Sequence, residues 1–288
     1  MKVLVTGANG QLGTDVMAEL VKRGHDAVGV DVSEMDITKA DEVCRVMTAA
    51  EPEAVIHCAA WTAVDDAEDK PEAVRAVNAL GTENIARLCK EQDCKLMYIS
   101  TDYVFDGTGK RPWEPDDDRQ PLNVYGQTKY EGELAAQKYA EKLFIVRIAW
   151  VFGLNGKNFV KTMLDLAKTH TDLNVVNDQI GSPTYTKDLA RLLADMIETD
   201  KYGCYHATNE GFCSWYEFAC EIFRQAAALG HEECRHVIMH PGSSSEFVTR
   251  AVRPSNSRMS KKKLSENGFR RLPEWQDAVT RYLKEIGY

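Results

Sequence analysis

The sequence predicts an α/β protein, a doubly wound parallel sheet with a smaller C-terminal α/β lobe. Three observations carry this prediction. Short β-branched runs alternate with longer helical patterns through the first half of the chain; the runs are apolar along their whole length rather than at every second residue; and a glycine-rich turn closes the first of them. Strands are expected at 2–7 (KVLVTG), 27–31 (AVGVD), 54–60 (AVIHCAA), 95–101 (KLMYIST) and 143–150 (LFIVRIAW). Helices are expected between them at 11–23, 38–50, 71–92 and 123–141, with Pro71 suited to the first turn of its helix. Strand-helix alternation of this kind requires right-handed crossovers.

Beyond about residue 150 the rhythm loosens. Helices are expected at 157–168, 186–198, 214–229 and 273–286, with short strands near 173–176, 203–207 and 235–239. The stretches QIGSPTYT and HPGSSSEF read as loops. Residues 1–150 are therefore assigned to the sheet-bearing domain and 151–288 to the lobe, with the boundary open because such lobes can borrow and return segments.

Acidic residues number 44 against 35 basic ones, a net charge of −9, which argues against a nucleic-acid or anionic-membrane surface. An anionic ligand must find a local basic pocket. No early apolar run has signal-peptide length and none later approaches a membrane span, so a cytoplasmic location is expected. The 8 cysteines show no CxxC and no Cys/His ligand spacing, and are read as reduced and mostly buried.

VTGANGQLG places Gly7, Gly10 and Gly13 directly after the first strand, with Gln11 and Leu12 opening the helix. Glycines there let the backbone approach a pyrophosphate, which the free N–H groups and dipole of a helix N-terminus attract. Strand-turn-helix context makes this a dinucleotide site rather than a mere turn. Asp31 ends the second strand, where an acid accepts from the ribose 2′-OH and repels a 2′-phosphate; this favours NADH over NADPH, unless Asp31 is only a capping residue. Asp36 and Ile37 follow in a loop that could hold the adenine edge.

STDYVFDG (100–107) puts the hydroxyl of Thr101 at the carboxyl end of the fourth strand, where open α/β sheets bind ligands. In NVYGQTKYEGE (123–133), Tyr125 and Lys129 stand four apart, so one helix face can present both to a single reacting atom. Taken singly, each pattern also fits an ordinary turn or a covered helix surface.

Jointly they resemble the extended short-chain dehydrogenase/reductase family, whose motif is a Ser/Thr after the fourth strand and Tyr-x-x-x-Lys on the next helix; Thr101, Tyr125 and Lys129 match it. STDYVFDG, YGQTKYEGE, DQIGSPTYTKDLA and RPSNSRMS, in that order along nearly the whole chain, resemble the branch that reduces dTDP-linked 4-keto-6-deoxysugars. The resemblance implies a Rossmann-type fold and NAD(P)H-dependent reduction of a sugar C4 ketone, dTDP-4-dehydrorhamnose to dTDP-rhamnose, within cell-wall polysaccharide synthesis. Tyr125 would protonate the ketone oxygen, Thr101 would hydrogen-bond it, and Lys129 would bind the nicotinamide ribose and lower the phenol pKa by about 1–3 units.

Carried over residue by residue, the resemblance implies that Ala59, Ala60 and Trp61 line the cofactor. Val64, Asp102 and Trp150 would border the substrate, Asn78 would support the lysine through water, and Arg253 would meet the nucleotide diphosphate. Trp61 departs from the smaller or imidazole residue expected there. A monomer or homodimer is implied, and magnesium, present in some members, finds no acidic cluster here. Dehydratases of this fold carry Thr-Asp-Glu where this chain has Thr101-Asp102-Tyr103, and epimerases resemble it less. A non-catalytic rival, the regulatory subunit of methionine adenosyltransferase, shares fold and similar strings.

Overall fold

The protein, described over residues 1–288 by a computed structural model, is built on a six-stranded parallel sheet. Its strands are β1 (Lys2–Thr6), β2 (Asp26–Val30), β3 (Ala54–His57), β4 (Lys95–Thr101), β5 (Leu143–Ile148) and β6 (Gly203–His206), in the order β6-β5-β4-β3-β1-β2. Both faces are covered, and strict alternation assigns each side chain to one of them. Val3, Val5, Ile56, Met97, Phe144 and Val146 pack under helices α1 (Gln11–Lys22) and, later in the chain, Thr186–Ile197. Leu4, Val55, Leu96, Tyr98 and Ile145 pack on the opposite side. There they meet α2 (Ala40–Ala50) and the helix Gly81–Glu91. Each such side chain contributes about 1.5–3 kcal/mol by leaving water, which is why apolar runs without polar alternation become central strands.

The order reverses between β1 and β3, so the loops after these two strands diverge and leave a crevice at their carboxyl ends. The expected 71–92 helix is interrupted: Pro71–Arg75 and Gly81–Glu91 flank a π-helical turn, Ala76–Leu80. A short helix α3 (Val64–Asp69), absent from the periodicity, precedes it. The strand expected at 54–60 ends at His57, freeing Cys58–Trp61 as a loop over the crevice.

The chain is interleaved across residue 150. Thr186–Ile197, β6 and Leu264–Leu272, all within the stretch read as lobe, belong to the sheet layer: α1 and Thr186–Ile197 pack face to face, and β6 pairs with β5. The apolar face of that helix, Leu189, Leu193 and Ile197, completes the shell under β1 and β5. The remaining lobe has its own core, where Phe152, Val160 and Leu164 meet Phe218, Ile222, Trp275 and Tyr282. The strand expected at 235–239 lies at Ile238–Gly242 and pairs with Asp172–Val176. No helix is long and apolar enough to cross a membrane.

Candidate active site

The glycine turn after β1 is built by close contact. Gly7 adopts φ +64°, and a Cβ on Gly13 would overlap the Gly7 carbonyl oxygen and stand 2.8 Å from its carbon. The turn therefore folds onto the first turn of α1, whose N-cap, Gly10, offers no side-chain acceptor. Its leading N–H groups remain available to an anion, in a cradle that any Cβ would fill. Gln11 ties this turn to the lobe, donating to the Val151 carbonyl at 3.3 Å and accepting from Asn158 at 3.0 Å.

A cavity of about 560 Å³ opens in front of it, lined by Gly7, Gly10, Gln11, Leu12, Gly13 and Asp31 at one end. Thr101, Asp102, Tyr125, Lys129, Val64 and Trp150 line the other end. A smaller adjoining cavity, about 220 Å³, is walled by Asp31, Asp36, Ile37, Ala59, Ala60 and Trp61. The two share Gly7, Asp31 and Ala60 in their walls.

After α4 (Pro71–Arg75) and α5 (Gly81–Glu91), helix α6 (Val124–Tyr139) starts at Asn123, whose side chain accepts from the Gly126 N–H at 2.8 Å. That cap sets the rotation that turns Tyr125 and Lys129 toward the end of β4. The Lys129 ammonium donates to the Ile99 carbonyl at 2.7 Å and sits 4.1 Å from the Tyr98 ring centroid. Burial drives it from the usual lysine value down to about 7, against the pull of Glu133 one turn on. Glu133 is itself buried and doubly bonded to Arg147 at 2.7 and 2.8 Å.

Tyr125 differs from expectation. Burial pushes its phenol above the usual tyrosine range; hydrogen bonding with Thr101 opposes this, and Asp102 and Tyr103 add to it. Lys129, occupied by Ile99 and Tyr98, exerts no lowering here. The phenol is thus protonated at neutral pH, as a proton donor must be. Thr101 donates to Asp102 at 3.1 Å and accepts from the Tyr103 N–H at 3.3 Å. Asp102, 3% exposed, is raised to about 6 by burial, and no donor reaches its Oδ2. The nearby Ser257 hydroxyl favours the ionised form without bonding that oxygen.

The Asn78 side chain, on the π-helical turn, accepts from the Trp61 N–H at 2.8 Å and donates to the Trp61 carbonyl at 3.2 Å and to Thr128 at 3.1 Å, so it clamps the post-β3 loop. Arg253 lines neither cavity: it donates to Asp65 on α3 at 2.6 Å and to the Tyr103 hydroxyl at 3.3 Å, a nearby carboxylate having claimed the guanidinium.

A family model described as RmlD substrate binding domain matches residues 1–287. The chain belongs to this family. The dTDP-4-dehydrorhamnose reductase of Escherichia coli (strain K12) is 37% identical over 99% of this chain and 98% of its own length. The spore coat polysaccharide biosynthesis protein SpsK of Bacillus subtilis (strain 168) is 36% identical over 99% and 97%. Among solved structures, a dTDP-4-dehydrorhamnose reductase from Clostridium acetobutylicum superposes with a TM-score of 0.95 at 39% identity, covering 100% of both chains. One from Bacillus anthracis, in complex with NADP, gives 0.94 at 40%, covering 99% of both. An NAD complex of UDP-glucose 4-epimerase from Thermus thermophilus, at 19% identity and a TM-score of 0.83, shares the fold.

This RmlD-family site also contains residues that the sequence did not single out: Phe159, Trp215 and Phe218 complete the cavity wall beside Trp150. The Tyr103 and Tyr125 rings meet edge to face, with centroids 5.5 Å apart. One signal was legible for Trp215: Ser214 and Glu217 form a capping box that places it at the first position of a helix. Nothing local shows that this helix start faces β4.

The buried lysine makes stability depend on pH. Unfolded, Lys129 keeps its proton to about 10.4. Between about 7 and that value the unfolded chain binds the extra proton, so stability rises with pH. Without added dinucleotide, the unfolding free energy is expected to rise across this window, and Lys129→Met should flatten the rise. Equal slopes in urea titrations of the two proteins would show that the lysine keeps its charge when folded.

Proposed function

We propose that this protein reduces the C4 ketone of dTDP-4-dehydrorhamnose at the expense of a nicotinamide dinucleotide. The observation that carries the reading is the convergence of Thr101, Tyr125 and Lys129 on one cavity that also contains the glycine turn. The dinucleotide fits the chain: the uncapped α1 N-terminus and the Gly7/Gly13 contact suit the pyrophosphate, and Asp31 with Ile37 and Trp61 suits the adenosine end. When bound, the reduced nicotinamide supplies the hydride. Tyr125 holds the proton that goes to the C4 oxygen, Thr101 orients that oxygen by its hydroxyl, and Lys129 bonds ribose hydroxyls with the N–H groups that Ile99 leaves free. Asp102 accepts from a sugar hydroxyl, while Val64 and Trp150 border the ring. Arg253 could turn from Asp65 to the diphosphate when the substrate brings its charge.

Tyr103 stands where a dehydratase needs a glutamate, and its hydroxyl is engaged by Arg253, so no second acid is positioned to eliminate water. The test is oxidation of NADH or NADPH, followed by absorbance, across dTDP-, UDP- and GDP-linked 4-keto-6-deoxysugars. Turnover with the dTDP sugar is expected; none with any sugar, together with tight co-purification of a partner, would favour the regulatory-subunit reading.

For cofactor choice we infer that NADH serves at least as well as NADPH. The Asp31 carboxylate is held by the Asn9 N–H at 3.2 Å and the Val32 N–H at 2.8 Å, facing the adenosine end. Lys39 pairs with Glu42 at 2.9 Å and Arg45 donates to the Glu34 carbonyl at 3.4 Å, while Arg23 stands at the far, C-terminal end of α1 and pairs with Asp195 at 2.7 Å. A phosphate beside this carboxylate costs on the order of 1 kcal/mol or more, about a tenfold preference. Asp31→Ala should shift the ratio of kcat/KM values toward NADPH by about that factor. A strong wild-type preference for NADPH that this substitution leaves unchanged would reduce Asp31 to a loop anchor.

A further inference from the structure

Trp150 adopts φ +50°, in the left-handed region. A bulky side chain persists there only where its surroundings over-determine it. Here they do so from several directions. The indole lies nearly parallel to that of Trp215, with ring centroids 3.7 Å apart and planes at 16°. Close by, a Cβ on Gly181 would stand 2.8 and 2.9 Å from two indole carbons, so only glycine leaves the ring its place. The Trp150 carbonyl accepts from the Thr184 N–H at 3.1 Å, pinning the backbone.

Trp215 is itself well seated. The capping box of Ser214 and Glu217 sets its helix, and its ring packs on Phe159 at 4.7 Å and Phe218 at 6.2 Å. Both indoles line the cavity that contains Thr101 and Tyr125. They form part of an apolar wall with Phe159 and Phe218, beside the hydroxyl and carboxyl groups of Thr101, Tyr125 and Asp102.

We propose that Trp215 is a positioning residue for the sugar: stacked on one face of Trp150, across from the Gly181 backbone, it holds the strained indole in place against an apolar edge of the hexose, and so sets affinity for the nucleotide sugar rather than the rate of its reduction. The inference rests on the reductase reading. A 4-keto-6-deoxyhexose carries a methyl group at C6 in place of a hydroxymethyl, an unusually apolar edge for a sugar, while its C4 ketone oxygen goes to Tyr125 and Thr101. An aromatic side chain receives that methyl edge without stranding a polar group. A flexible or displaced indole would lose this surface, whereas Tyr125 and Thr101, carried by other elements, would stay in place.

The experiment compares wild type with Trp215→Ala, Trp215→Phe and Gly181→Ala in the full chain. Trp215→Ala is expected to raise KM for the dTDP-keto-sugar about tenfold with kcat within about twofold, while Trp215→Phe keeps KM within about threefold. Dinucleotide affinity, followed by calorimetry, should not change. The exciton couplet of the stacked indoles in far-ultraviolet circular dichroism should vanish in Trp215→Ala. Gly181→Ala, which displaces the indole from the face opposite Trp215, should raise KM in the same selective way, and it serves as the test if Trp215→Ala does not fold. Loss of the couplet with unchanged KM would overturn the inference, as would parallel losses in KM, kcat and dinucleotide affinity, which mark a merely structural role. Absence of turnover in wild type would instead overturn the reductase reading, and the wall would then be judged by calorimetric affinity for dTDP-rhamnose in the same variants.

Discussion

Tyr125→Phe is expected to lower turnover by about 10²-fold or more while leaving the fold and dinucleotide affinity intact. The substitution removes one oxygen. The ring keeps its edge contact with Tyr103 at 5.5 Å, and α6 keeps its Asn123 cap, so neither packing nor helix position supplies a reason for loss. Only the proton is missing. Burial holds that proton firmly in the free protein, so the donor is fully loaded at neutral pH; its release must await charge developing on the ketone oxygen and a cationic Lys129. Single-turnover kinetics, with dinucleotide binding measured in parallel, separates chemistry from affinity. Near-normal turnover in a folded Tyr125→Phe protein would remove Tyr125 from the mechanism.

Gly13→Ala should weaken dinucleotide binding by about 10²-fold, roughly 2.7 kcal/mol at 298 K. Helix propensity alone predicts the opposite sign for stability, since alanine is favoured over glycine inside a helix by about 1 kcal/mol. Contact decides otherwise. The new methyl group would overlap the Gly7 carbonyl oxygen and stand 2.8 Å from its carbon and 2.9 Å from the Ala8 Cα. Backbone cannot step aside by changing rotamer, so the turn must lift from α1 and its N–H groups lose their common aim. Titration of NADH into the folded variant checks this, and unchanged affinity together with raised stability would show that the turn does not cradle the pyrophosphate.

Much of the fold was legible because its cause is local. Apolar runs such as VLV and AVIH become central strands wherever both faces are covered, and the first five strands lie within a few residues of their expected places. The π-helical turn at Ala76–Leu80 was not legible, because its sequence fits an uninterrupted helix; the Asn78 bonds to the Trp61 backbone and Thr128 accompany the bulge. Helix α3 escaped for a related reason, being six residues long and mostly acidic, too short to show a period.

By itself, the sequence determined the alternation of strands and helices, the glycine turn, and the placing of Tyr125 and Lys129 on one helix face, since each depends on spacings of a few residues along the backbone. The tertiary structure decided what depends on partners far away in the chain. It set β6 and Thr186–Ile197 in the sheet layer, because only the assembled sheet exposes the apolar edge and face that they cover. It gave Arg253 to Asp65, stacked Trp150 on Trp215, and brought Lys129 to about 7 by enclosing it. Charge state and side-chain contact follow from burial and from what stands within a few ångströms, and neither exists until separate stretches of chain have packed together.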